Sequence, residues 1–138
     1  MLSSILLSVS LLMTQPDPVV GNWTSVDDAT GKEKSEIRLY IENGKLYGRI
    51  ERLLLPEDAG KLCVECEGDN KNKPIEGLVI VQGLEKDGDS WIDGSILDPA
   101  NGKNYSCTIS LNQDGTLNVR GYLGFSLLGR TQVWKPKK

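Results

Sequence analysis

The chain has 138 residues, enough for one domain and short for two. Sixteen Lys and Arg stand against 19 Asp and Glu, a net charge of −3, so the positive field that a nucleic-acid or anionic-membrane binder needs is missing. Histidine is absent, which removes Ser-His-Asp and Cys-His nucleophiles, His general bases and His metal ligands together.

Residues 1–13, MLSSILLSVSLLM, hold nine apolar residues and four serines without a charge. The run is too short for a bilayer span, which takes about 18 apolar residues or more. It reads as the apolar centre of a secretory signal peptide, although no basic residue occurs before Lys32 and no clean small-residue cleavage site follows. The competing reading is a cytosolic chain with an apolar first element. Residues 14–20, with Pro16 and Pro18 around Asp17, read as a linker. The folded domain, 21–138, is then expected to begin near Gly21.

From there, turn signals recur at short intervals: Asp28–Gly31, Asn43-Gly44, Asp87-Gly88, Asn101-Gly102 and Asp114-Gly115. Asn-Gly and Asp-Gly tolerate the positive φ of tight hairpins. Between the turns, apolar residues alternate with polar ones. Ile37, Leu39 and Ile41 oppose Glu36, Arg38 and Tyr40; Tyr105, Cys107, Ile109 and Leu111 oppose Ser106, Thr108 and Ser110. Leu78 to Val81 is apolar throughout and suits a strand buried on both sides. No window after Gly21 keeps a helical period. The pattern predicts an all-β domain, a single antiparallel up-and-down barrel of about eight to ten strands. Residues 57–74 break it as a charged loop with Cys63 and Cys66, and long loops in compact domains are functional or mobile.

Cys63-Val-Glu-Cys66 admits several readings. A redox pair would sit at a helix N-terminus in a βαβ setting that this sequence lacks. A zinc site would need a carboxylate as its fourth ligand. A structural disulfide suits an oxidising compartment, and free thiols or a pairing with Cys107 complete the set. Cys107 lies on an apolar strand face, where a buried free thiol is the default. Trp23 near the start and Arg130 near the end fall on strands that neighbour one another in a closed barrel. A guanidinium over an indole, worth about 0.5–2 kcal/mol, would close one barrel end.

The candidate ligand-binding residues are Tyr47, Arg49, Arg120 and Tyr122. Turned inward, they would line a cavity, and the arginines would hold a carboxylate bidentately; the simpler reading turns these alternate positions to water. The acidic residues Asp27, Asp28, Glu57, Asp58, Glu76, Asp93 and Asp98 are candidates for paired-carboxylate chemistry by type alone. No phosphate-binding glycine loop occurs, and no metal or cofactor is implied.

The ordered set G-x-W, L-Y-G-R-I, C-x-x-C followed by K-P-I-E-G-L-V-I, I-L-D-P-x-N-G-K-x-Y-S-C, L-x-V-R-G-Y-L-G and G-R-T-Q-V-W resembles one bacterial family of small exported proteins, the domain of unknown function twenty-one forty-seven. The resemblance runs from Gly21 to Trp134. It implies a lipocalin-like, calycin-type barrel, secreted or periplasmic, and brings no catalytic residues with it. Trp23 and Arg130 then correspond to a barrel-closing pair and Cys63 and Cys66 to the loop cysteines. Asp98, Pro99, Asn101, Gly102, Tyr105, Arg120, Gly121 and Tyr122 fall on further motif positions. The leading expectation is a binding module for a small apolar or amphipathic ligand, or for a cell-envelope partner, with no nucleic acid and no integral membrane span. The alternatives are a hydrolase or isomerase using carboxylates and Tyr at the barrel mouth, and a structural envelope protein with a filled barrel. Oligomeric state stays open.

Overall fold

The computed structural model describes residues 17–124 and 129–137. The expected signal segment, 1–13, lies outside them. Eight strands follow in chain order: β1 (Gly21–Val26), β2 (Glu33–Glu42), β3 (Lys45–Leu53), β4 (Val79–Asp87), β5 (Ser90–Asp98), β6 (Lys103–Leu111), β7 (Leu117–Tyr122) and β8 (Gly129–Pro136). Each pairs antiparallel with the next, and β8 returns to β1, giving a closed up-and-down barrel. The turn signals fall where the chain reverses; Asn43 and Gly44, at φ 52° and 78°, make the positive-φ pair of a tight hairpin between β2 and β3. Helix is confined, among the described residues, to two single 3-10 turns, Pro56–Asp58 and Gly68–Asn70.

The alternation decides which side chains fill the barrel. Leu39, Leu46, Leu84, Ile109 and Leu117 are fully buried and gather toward the end that carries the β2–β3, β4–β5 and β6–β7 turns. The chain before β1 plugs this closed end. Val19 is buried, and the Trp23 indole N–H donates to the Val19 carbonyl at 2.9 Å. Asp17 accepts from the Val19 N–H at 3.0 Å and pairs with Lys86, whose ammonium also lies 5.4 Å from the centre of the Trp91 ring. Residues 17–20 are therefore part of the folded unit and not a linker, because an apolar side chain and two hydrogen bonds tie them beneath the barrel.

Close backbone approach sets the barrel's waist. A β-carbon on Gly94 would lie 2.5 Å from the Gln82 carbonyl and 2.5 Å from Leu84 Cδ1. Gly121 differs, since its β-carbon would meet Ile96 and Tyr105 at ordinary distances of 3.4 and 3.5 Å.

At the other end, residues 54–78 cross the barrel as a structured loop. Cys63 and Cys66 form a disulfide with α-carbons 5.3 Å apart, both buried. An isolated bridge joins Leu62 to Pro74; the Cys63 N–H donates to the Lys73 carbonyl at 2.8 Å and the Ile75 N–H to that of Lys61 at 3.0 Å. The loop also packs on the β5–β6 turn. Cys63 Sγ lies 3.6 Å from the Pro99 carbonyl, and a β-carbon on Gly102 would overlap the Glu65 carbonyl. With both loop cysteines paired, the zinc and free-thiol readings lapse, and Cys107 is left as a buried free thiol.

Gly94→Ala should cost about 1–3 kcal/mol in urea unfolding, the usual range for overpacking, whereas Gly121→Ala should stay within about 1 kcal/mol of the parent. Burial pushes the Asp17 carboxyl up, but the hydrogen bond and charge of Lys86 and the Val19 N–H outweigh it and hold its pKa below the ordinary 3.8. The stabilisation from this group is thus complete above pH 3.8 and lost as pH falls through the folded value. Asp17→Asn should flatten that acid limb of the stability curve; an unchanged limb would assign the acid loss to other carboxyls. Losing the four-residue disulfide ring should cost about 2 kcal/mol by chain entropy. Ellman titration of unfolded, oxidised protein should count one thiol, Cys107, and native protein none, since burial lifts that thiol's pKa to about 12. Three thiols in the unfolded protein would reject the disulfide.

Candidate functional site

The barrel is packed at one end and opens into a cavity at the other. A cavity of about 800 Å³ opens at the end that carries the β1–β2 and β5–β6 turns and the 54–78 loop. Its floor is apolar, with Ile37, Ile50, Ile80, Val119 and Trp134 among the lining residues. The fully buried leucines of the closed end do not reach it. Trp134 marks the boundary between the packed end and the cavity: it is buried, lines the cavity, and donates its indole N–H to Gln132 Oε1 at 3.3 Å.

Polar groups enter the cavity nearer its mouth. Ser25 and Ser35, opposite one another on β1 and β2, are both buried, and their hydroxyls are hydrogen-bonded at 2.5 Å. A hydroxyl pair of this kind uses one proton internally and keeps further donor and acceptor capacity for a ligand. Tyr105 lines the same region, its hydroxyl accepting from Asn101 Nδ2 at 2.9 Å. Gly121 contributes space, because its missing side chain would project beside Ile96 and Tyr105.

Of the four residues proposed from the sequence to line a cavity, Tyr122 does so, at the rim. Tyr47 and Arg49 do not line this cavity, and Tyr47 borders a shallow depression on the outer wall with Asp93 and Gly94. Tyr47 and Arg49 alternate with the buried Leu46, Gly48 and Ile50 and so stand on the outer face of β3. There Tyr47 stacks on Tyr40, ring centres 5.8 Å apart, while Arg49 lies 6.0 Å from the Tyr40 ring centre and pairs with Glu51 at 3.3 Å. Arg120 alternates in the same way with Leu117, Val119 and Gly121, and its guanidinium reaches Thr131 Oγ1 at 3.4 Å. The arginine pair is therefore not a carboxylate clamp inside the barrel: the period of two sends both guanidinium groups out with their strands' polar face.

The expected Trp23–Arg130 stack is also corrected. β1 and β8 are neighbours, but Trp23 stands opposite Pro136, six positions along β8 from Arg130. At about 3.3 Å per residue that is roughly 20 Å. Arg130 instead reaches Asp28 in the β1–β2 turn at 3.5 Å, near the mouth. The cation on an indole at the closed end is Lys86 on Trp91, a contact with no local signal in the sequence.

The acidic candidates divide between mouth and outer wall. Asp27 accepts from the Ala29 and Thr30 N–H groups, and Asp98 from that of Ala100, each closing its own turn. Glu76 accepts from the Leu53 N–H at 3.1 Å, and Asp93 occupies a positive-φ bulge on the outside, beside Tyr47. The two carboxyls with displaced pKa values, Asp17 and Asp114, are both lowered, and both sit at the closed end, away from the cavity. Among the described residues no cluster of three metal-ligating side chains occurs, and no helix is long and apolar enough to cross a membrane.

Known proteins place this architecture. No curated protein matches the chain. Protein HP1028 from the human pathogen Helicobacter pylori, a solved structure described as belonging to the lipocalin family, superposes with a TM-score of 0.73 at 21% sequence identity, over 86% of this chain and 82% of that one. At that identity the likeness establishes the fold, a lipocalin-like barrel. Residues 21–136 match the family described as "Uncharacterized protein conserved in bacteria (DUF2147)", and the chain belongs to that family.

Proposed function

We propose that the protein is a binding module whose barrel cavity holds one small apolar or amphipathic ligand. The observation that carries this reading is the cavity itself. About 800 Å³ lies within the roughly 300–1,000 Å³ typical of small-molecule sites, and an apolar floor with a few polar groups is their usual composition. A barrel of eight strands has room for side chains or for one small ligand, and here the side chains leave a cavity at one end. The lipocalin-like neighbour supports the same reading at the level of fold. The buried disulfide supports a place of action in an oxidising compartment, and so an exported protein, secreted or periplasmic.

Native mass spectrometry of protein exported from its host should show added mass that disappears on denaturation. The neutral dye N-phenyl-1-naphthylamine should bind with a blue-shifted rise in fluorescence. Gly121→Leu, which pushes a side chain into the cavity, should weaken dye binding by about tenfold or more, the scale of a filled methylene slot in an apolar pocket. Gly121→Ala should retain it. A bare native mass together with no dye binding would reject the binding module in favour of a barrel working through its surface.

A further inference from the structure

The cavity is graded in polarity from floor to mouth, and the gradient selects a head group. Ile37, Ile50, Val119 and Trp134 lie deep. Ser25 stands one residue from the mouth end of β1, and Ser35 and Tyr105 two residues from the mouth ends of β2 and β6, so their hydroxyls form a neutral collar. Above the collar the lining becomes charged. Asp27, Glu57, Asp58, Glu65 and Asp98 line the cavity with Lys34, Lys61 and Arg130, an excess of two carboxylates among the described residues. Two of those cations are already engaged, Lys61 with Asp58 at 3.3 Å and Arg130 with Asp28 at 3.5 Å.

We infer that the cavity admits amphiphiles tail-first with a neutral or cationic head group and discriminates against fatty-acid-like anions. The inference rests on the binding-module reading and adds the ligand class. An alkyl tail is driven onto the apolar floor by burial of its surface. Its head then stops at the collar, where hydroxyls pair with an ester, alcohol or amide as donor or acceptor. A carboxylate head at the same depth would lose water beneath a net negative rim. The arginines that could have compensated it, Arg49 and Arg120, stand on the outer face. A cationic head gains from the same field.

Competition against the bound naphthylamine dye with three dodecyl amphiphiles below their micelle concentrations tests this on the full mature protein. The ligands are dodecyltrimethylammonium, monododecanoylglycerol and dodecanoate. Two net charges about 10 Å away across water correspond to about fourfold in Kd per unit of head-group charge. The expected order is therefore ammonium tightest and dodecanoate weakest, with the spread closing in 0.5 M salt, where the Debye length falls to a few ångströms. Glu57→Lys with Glu65→Lys, both exposed rim positions, should invert the order without altering the fold. Dodecanoate binding as tightly as the other two, or an order indifferent to the two rim substitutions, overturns the head-group assignment while leaving the cavity as a binding site. Failure of the dye and all three amphiphiles to bind overturns both.

Discussion

One hydrogen bond, from the Trp23 indole to the Val19 carbonyl, ties the chain's approach to the barrel under its closed end. Val19 is thereby pressed against the base of the core, and Asp17 comes within reach of Lys86, which in turn covers Trp91. With that end sealed, five fully buried Leu and Ile side chains pack above it, each contributing about 1.5–3 kcal/mol on leaving water. The buried cluster runs on from there through Ile37, Ile50, Val119 and Trp134 to the disulfide at the other end. The cavity opens beyond this packing, at the mouth.

The cavity still has to be held open. β1 and β8 share two residue pairs, Trp23 with Pro136 and Thr24 with Lys135, so the seam is shortest of all the strand junctions. Beyond it the Arg130–Asp28 pair spans the gap, and both partners are largely exposed, a kind of contact worth at most about 1 kcal/mol. The opposite side of the mouth is built more firmly. There the disulfide loop presses on the β5–β6 turn so closely that residue 102 has to be glycine, which also supplies its positive φ of 72°. The long charged loop is therefore a wall of the site, and its carboxylates Glu57, Asp58 and Glu65 give the mouth its sign.

Much of this architecture is legible in the residues. Asn43-Gly44 and its fellow turn signals mark the hairpins, and alternation in β2 and β6 shows which residues share a face. The same rule, applied to Leu46, Gly48 and Ile50, turns Tyr47 and Arg49 outward, so the sequence already contained the argument against them as cavity residues. The Trp23–Arg130 pairing shows where such reasoning stops. Closure makes β1 and β8 neighbours, but register along the seam depends on strand length, bulges and barrel shear, none of which is a local property. The role of residues 17–20 was hidden for a related reason: two prolines around an aspartate look like a linker until Trp91, Lys86 and Trp23 arrive from elsewhere in the chain.

The sequence by itself determined the strands, their order, the all-β class and the chemistry closed to a chain without histidine, because these follow from residue type and from periods of two to four positions. Tertiary structure alone decided that the barrel opens into a cavity at one end, that two serines meet inside it, and that acidic residues scattered from Asp27 to Asp98 converge on one opening. A cavity is the absence of atoms among residues far apart in the chain. Its size is a small difference between barrel volume and side-chain volume, and its charge is a sum over loops whose meeting is set by closure.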